Sequence, residues 1–88
     1  MIYRYQDQRA NLFTDDGQRL FLKFRDSVFR LIEKAGAVRM DKAMAGLSGD
    51  SWLMLACADR MIELGDIAEI SPPNSAGQHR VFVRYLNF

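Results

Sequence analysis

The apolar residues of this chain change period at Gly65, and that change limits what the chain can fold into. Ahead of Gly65 the spacing is helical: Cys57 and Met61 stand eight and four places before it, on one helix face. Behind it the period is two. "DIAEI" reads as a strand, "SPPNSAGQ" as a loop of turn-forming residues, and "HRVFVRY" as a second strand. In that second strand Val81, Val83 and Tyr85 share one face and Arg80, Phe82 and Arg84 the other, with one face half-buried. A helix that ends at a glycine and passes straight into a hairpin predicts an α+β fold with one shared core.

Upstream, a longer helical pattern runs from Thr14 to Gly36. Thr14 is suited to cap it, Asp15 and Asp16 suit the positive end of its dipole, and Gly36 is placed to end it. Phe21, Phe24, Val28, Leu31, Ile32 and Ala35 recur at three- and four-residue steps and make one apolar face. Arg19, Lys23, Asp26, Arg30 and Lys34 fall opposite, with Asp15–Arg19 and Asp26–Arg30 paired at four-residue spacing. The short "AVR", Ala37 to Arg39, predicts a brief strand. Asp41 can cap a second, shorter helix through Leu47, and Ser48 or Asp50 a third that runs to about Leu64. The first thirteen residues stay open: "IYRYQ" alternates as an edge strand would, yet the segment also reads as a loose arm. The predicted organisation is that arm or strand over 1–13 and a single domain over 14–88.

Much chemistry is excluded by composition. The 88 residues suffice for one modest core, and no run approaches the ~20 apolar residues of a membrane span. The opening "MIYRYQDQRANLF" lacks the pattern of a signal peptide, and a single cysteine fits a reducing compartment; the expectation is a cytoplasmic protein. Cys57 alone allows no internal disulfide and no multi-cysteine metal site. His79, the single histidine, falls in the predicted loop, and Cys57 in a helix interior, so no nucleophile pair is expected. "GLSGDS" has two glycines but no lysine after them, so it is not a phosphate loop. The sequence predicts no enzyme, no cofactor and no metal. Net charge is only +1, so any nucleic-acid contact must come from local clustering of charge.

The predicted order, from Asp15 to Tyr85, is long helix, short strand, short helix, turn, helix, strand, loop, strand. This resembles the winged helix-turn-helix family. Its members tend to end the third helix with apolar residues four and eight places before a glycine, and to place another two after it. Met61, Cys57 and Ile67 stand there around Gly65. The resemblance implies three helices plus a C-terminal β-hairpin wing. It implies that the third helix, from near Ser48, enters a DNA major groove in DNA-binding members, and that the loop from Ser71 to His79 is the wing. Homodimers are common in the family, and the aromatic ends Tyr3, Tyr5, Tyr85 and Phe88 are candidates for packing between two copies.

Two functions follow. In the first, the chain binds nucleic acid, as duplex DNA, in transcription regulation or as an accessory factor. Ser48, Ser51 and Trp52 would stand at the tip of the third helix with Arg60 behind them. Arg39 and Lys42 would grip one phosphate stretch, and His79, Arg80 and Arg84 another. In the second, the chain is a non-catalytic protein-interaction module, an adaptor or small inhibitor. The third helix favours this, because Asp50 would repel phosphate, Asp59 and Glu63 add negative charge, and Arg60 is its one basic residue. Asp50, Trp52, Met54 and Asp59 would form the contact, with an exposed Trp52 as anchor. Trp52 is also a candidate for the core, where it would say nothing of function. The discriminating feature is where basic charge collects in three dimensions.

Overall fold

Thr14 starts the longest helix, α2 (Asp15–Ala35), by accepting the Gly17 N–H on its hydroxyl at 3.0 Å. The computed structural model that contains this helix describes residues 2–85. Leu20, Phe21, Phe24, Val28 and Ile32 are buried along one side of α2. Two residues expected with them are less covered: in the last turn Ile32 takes the buried position, Leu31 is half-buried at the edge of the core and Ala35 is exposed. The surface pairs also differ from expectation. Arg19 binds Asp16 rather than Asp15, and Asp26 lies near Arg25 rather than Arg30. Pairs this exposed carry little energy, so local rotamers decide between them.

Residues 2–13 form neither a strand nor a loose arm. An extended start leads into α1 (Tyr5–Gln8), and a 3-10 helix follows over Arg9–Phe13. The cause is Leu12, which is buried in the core and whose carbonyl accepts the Gln18 side-chain amide at 2.6 Å. Gly17 makes this approach possible. A Cβ there would lie 2.0 Å from the Asn11 carbonyl oxygen and 2.8 Å from the Leu12 Cα. The alternation in "IYRYQ" has a different use: Tyr3 and Tyr5 both reach the helix α4 (Ser51–Glu63).

Between α2 and α4 lie β1 (Ala37–Arg39) and α3 (Met40–Met44). Asp41 does not cap α3; its carboxylate takes the Arg39 guanidinium in two hydrogen bonds of 2.7 Å, and the helix stops at Met44, short of Leu47. Asp50, not Ser48, caps α4 by accepting the Trp52 N–H at 3.0 Å. Gly65, at φ 79°, then turns the chain, and the Asp66 N–H reaches back to the Met61 carbonyl at 2.9 Å.

The hairpin is β2 (Ile67–Glu69) with β3 (Val81–Arg84), and its loop carries a 3-10 turn at Gly77–His79. β1 pairs antiparallel to the other side of β3, giving the order β1-β3-β2. Val38 stands opposite Phe82, and both are buried. Phe82 is therefore the inward residue of β3, Arg84 and the preceding Arg80 fall on its side of the strand, and Val81 and Val83 turn the other way. The fold is thus α+β, with four α-helices and a three-stranded antiparallel sheet among the described residues. Phe24, Val28, Met40, Cys57, Met61, Ile67 and Phe82 fill the space between α2, α4 and the sheet. No helix among the described residues is long and apolar enough to cross a membrane.

Candidate functional site

Helix α4 is the centre of the molecule, not a free face. Met54, Leu55, Ala56, Cys57, Ala58 and Met61 are buried, and Trp52, Leu53, Asp59, Arg60 and Ile62 are half-buried. Of its thirteen residues, only Ser51 and Glu63 are exposed. The exposed Met54 expected of a protein-contact face is absent: Met54 is 2% exposed, beneath Gly49. Trp52 sits between the two expectations, half-buried with Tyr3 edge-on to it at 6.4 Å.

The polar residues of α4 are engaged inside the chain. Asp59 accepts the Tyr3 hydroxyl at 2.7 Å and the Arg80 guanidinium at 2.8 and 3.3 Å. Arg80 also binds Glu69 at 2.8 and 3.1 Å and lies over the Phe82 ring. Ser71 completes this cluster, donating to Glu69 at 2.7 Å and accepting the Val81 N–H at 3.1 Å. Burial alone would lower the Arg80 pKa and raise that of Glu69. The hydrogen bonds outweigh it, so Arg80 titrates above its ordinary value and Glu69 below. Burial and the bond to Asp59 push the Tyr3 hydroxyl up in the same cluster.

A second cluster closes the other end of α4. Glu63 accepts from Arg60 at 2.7 Å, from the Tyr5 hydroxyl at 2.8 Å and from Arg9 at 3.2 Å. These bonds, that from Arg60 first, hold its carboxyl below the usual range. The Arg9 and Arg60 guanidinia both lie against the Phe13 ring, at 5.1 and 5.2 Å. Tyr3 and Tyr5 are thus packed within their own chain. Of the other aromatic ends, Tyr85 is exposed and Phe88 lies outside the described residues.

The basic residues suggested for phosphate do not converge. Arg80 is held between two carboxylates, Arg60 faces the N-terminal segment, and Arg84 lies over Phe29 of α2 at 4.8 Å. Ser51, Trp52 and His79 do meet. With Met44, Leu55 and Gly77 they line a hollow of about 350 Å³ between α3, the start of α4 and the hairpin loop. The loop rests on the helix there: a Cβ on Gly77 would come 3.1 Å from Leu55 Cδ1. Ser48 is exposed in the preceding loop, and the Asp50 carboxylate is occupied as a cap.

Arg39 and Lys42 also meet, at a second hollow of about 230 Å³ lined by Leu31, Lys34, Ala35, Ala37 and Val38 as well. Lys34, Leu31 and Ala35 were not picked out as site residues. Their signal was in the sequence, since Leu31 and Ala35 continue the apolar face of α2 to its last turn.

Cys57 is buried, and burial pushes its thiol up to about 12, while His79 is exposed in the hairpin loop. Among the described residues, no group of three or more His, Cys, Asp and Glu is placed to hold a metal ion. Comparison with known proteins adds no identity: no family model, no curated protein and no solved structure matches the chain.

Proposed function

We propose that the chain is a winged helix-turn-helix domain that works as a non-catalytic protein-interaction module. The order of elements supports the family reading: long helix, short strand, short helix, helix and hairpin, with the short strand completing the sheet. One observation carries the functional part. Asp59, Glu63, Arg60 and Trp52 of α4 are bound by the N-terminal segment or the hairpin, or by each other. A helix that reads base edges must offer free donors and acceptors to a groove. This helix has few to offer.

A second reading, binding to duplex DNA, is favoured by one feature. Lys23, Arg30 and Lys34 lie along one exposed side of α2, with the carboxylate of Asp26 among them and Lys42 of α3 beside Lys34. Such a grouping suits phosphate contacts without base reading. Anisotropy of a labelled random duplex, titrated with the full chain at several salt concentrations, separates the two. The first reading expects no saturable binding at physiological salt up to about 100 μM, the weak end of non-specific affinity. Tighter binding that falls steeply with salt overturns it in favour of the second.

A further inference from the structure

We infer that the hollow at the end of α2 is the docking site for a segment of a partner protein that carries a large apolar side chain flanked by carboxylates. This rests on the interaction reading above and gives it a place and a partner chemistry. The floor of the hollow is apolar, made by Leu31, Ala35, Ala37 and Val38. Its rim is cationic, made by Lys34, Arg39 and Lys42.

Three properties decide the occupant. The first is size: about 230 Å³ exceeds the ~150 Å³ of an apolar cavity that takes up benzene, so one leucine or phenyl side chain fits. Charge is the second. Arg39 is already held by Asp41, but neither Lys34 nor Lys42 is ion-paired among the described residues. Both are exposed, so the rim attracts carboxylates. The third is the backbone. β1 is an edge strand and all three of its residues line the hollow, so an extended segment seated there is beside an edge to which it can add main-chain hydrogen bonds. A nucleic-acid backbone matches the rim but brings no apolar group for the floor. An acidic segment with an apolar anchor matches both.

The same geometry accounts for the departures of Leu31 and Ala35 from the core. In its last turn α2 buries Ile32 in the core but leaves Leu31 half-buried and Ala35 exposed, and that open side is the one flanked by cations.

The test uses the full chain, labelled with ¹⁵N, and a synthetic hexapeptide: leucine–phenylalanine between two aspartates on each side. Two control peptides replace the aspartates by asparagines, or the apolar pair by serines. Binding is read as chemical-shift changes. The expected result is saturable binding with Kd below about 1 mM and shifts centred on residues 31–42. Each control, and the variant Lys34→Glu with Lys42→Glu, should weaken binding by about fivefold or more, the scale of one or two exposed ion pairs or a lost apolar anchor. Both substitutions are at exposed positions, and an unchanged spectrum elsewhere confirms the fold. Ala35→Arg, which fills the hollow while adding positive charge, should also abolish binding.

Three results overturn the assignment: no saturation by 1 mM peptide, equal binding of the serine control, or shifts at Ser51, Trp52 and His79 instead. If the peptide fails and the duplex also does not bind, the site falls and the interaction reading stands. If the duplex binds with a steep salt dependence and shifts the same residues, the occupant is a polyanion and both fall.

Discussion

Replacing Arg80 by alanine decides what the arginine that precedes β3 is for. In the structure that guanidinium makes four hydrogen bonds, two to Asp59 of α4 and two to Glu69 of β2. The side chains of Arg80, Asp59 and Glu69 are 13%, 20% and 28% exposed, so the cluster is neither fully buried nor a surface pair. Removing one partner of a buried pair costs about 3–5 kcal/mol, and an exposed pair is worth under about 1 kcal/mol. The exposures place the expected loss between these, at about 2 kcal/mol. For a domain of this size that lowers Tm by roughly 8–16 °C. Urea and thermal unfolding measure it, and a double-mutant cycle with Asp59→Asn should show coupling above about 1 kcal/mol. Arg80→Lys should recover little, because an ammonium cannot reach two carboxylates with a planar fork. Stability within about 0.5 kcal/mol of the parent, the scale of an ordinary surface substitution, would refute the reasoning. Arg80 would then be a free charge, and its loss from duplex binding would return it to a phosphate role.

Further outcomes follow from single contacts. Gly17→Ala should destabilise the domain despite alanine's helix preference of about 1 kcal/mol, because the new Cβ meets the Asn11 and Leu12 backbone; unfolding midpoints and proteolysis of residues 2–13 read this out. Cys57 should not react with a thiol reagent at neutral pH in the folded chain and should react fully in urea, since its thiol is buried and pushed up to about 12. The Glu63 and Glu69 carboxyls titrate below their ordinary 4.5, so the stability they add is present above that pH and is lost as pH falls through their lowered values; urea midpoints across acid pH should drop, and less so in Arg80→Ala. Tyr3 titrates above its ordinary 10.0, so its hydroxyl stays protonated in the folded chain where an unfolded one ionises. Stability should fall as pH rises past 10.0, with a shallower slope in Tyr3→Phe.

What the sequence made legible was local. Thr14, Gly36 and the stripe of α2 follow from capping and a helical period, and the hairpin from the change of period at Gly65. These signals need no knowledge of what lies across the fold. The N-terminal segment was not legible, because α1 and its 3-10 helix are set by Leu12 and by a partner helix more than forty residues on. The face of β3 was ambiguous for a related reason. Alternation separates Val81 and Val83 from Phe82, but only the register with Val38 says which set turns inward. The same gap explains Arg80 and Arg84. As phosphate contacts they read as free charges, but carboxylates and the Phe82 ring hold Arg80, while Arg84 stays exposed and lies over Phe29.

The two partner readings drew on residues that turn out to be partners of each other. Asp59 and Glu63 suggested a protein contact, while Arg80 and Arg60 suggested phosphate; in the fold Arg80 binds Asp59 and Arg60 binds Glu63. A small chain has a physical reason to do this. Strands of three and four residues cannot cover a thirteen-residue helix with apolar area alone. Its remaining sides are closed by hydroxyls and ion pairs from the N-terminal segment and the hairpin, which also satisfy the charges they bury. Charge used this way is withdrawn from recognition. Among the described residues, the charges left exposed without an ion pair are therefore the better guide to function; on α2 and α3 they are the cations Lys23, Arg30, Lys34 and Lys42 and the carboxylates Asp15 and Glu33, with open apolar surface beside Lys34 and Lys42.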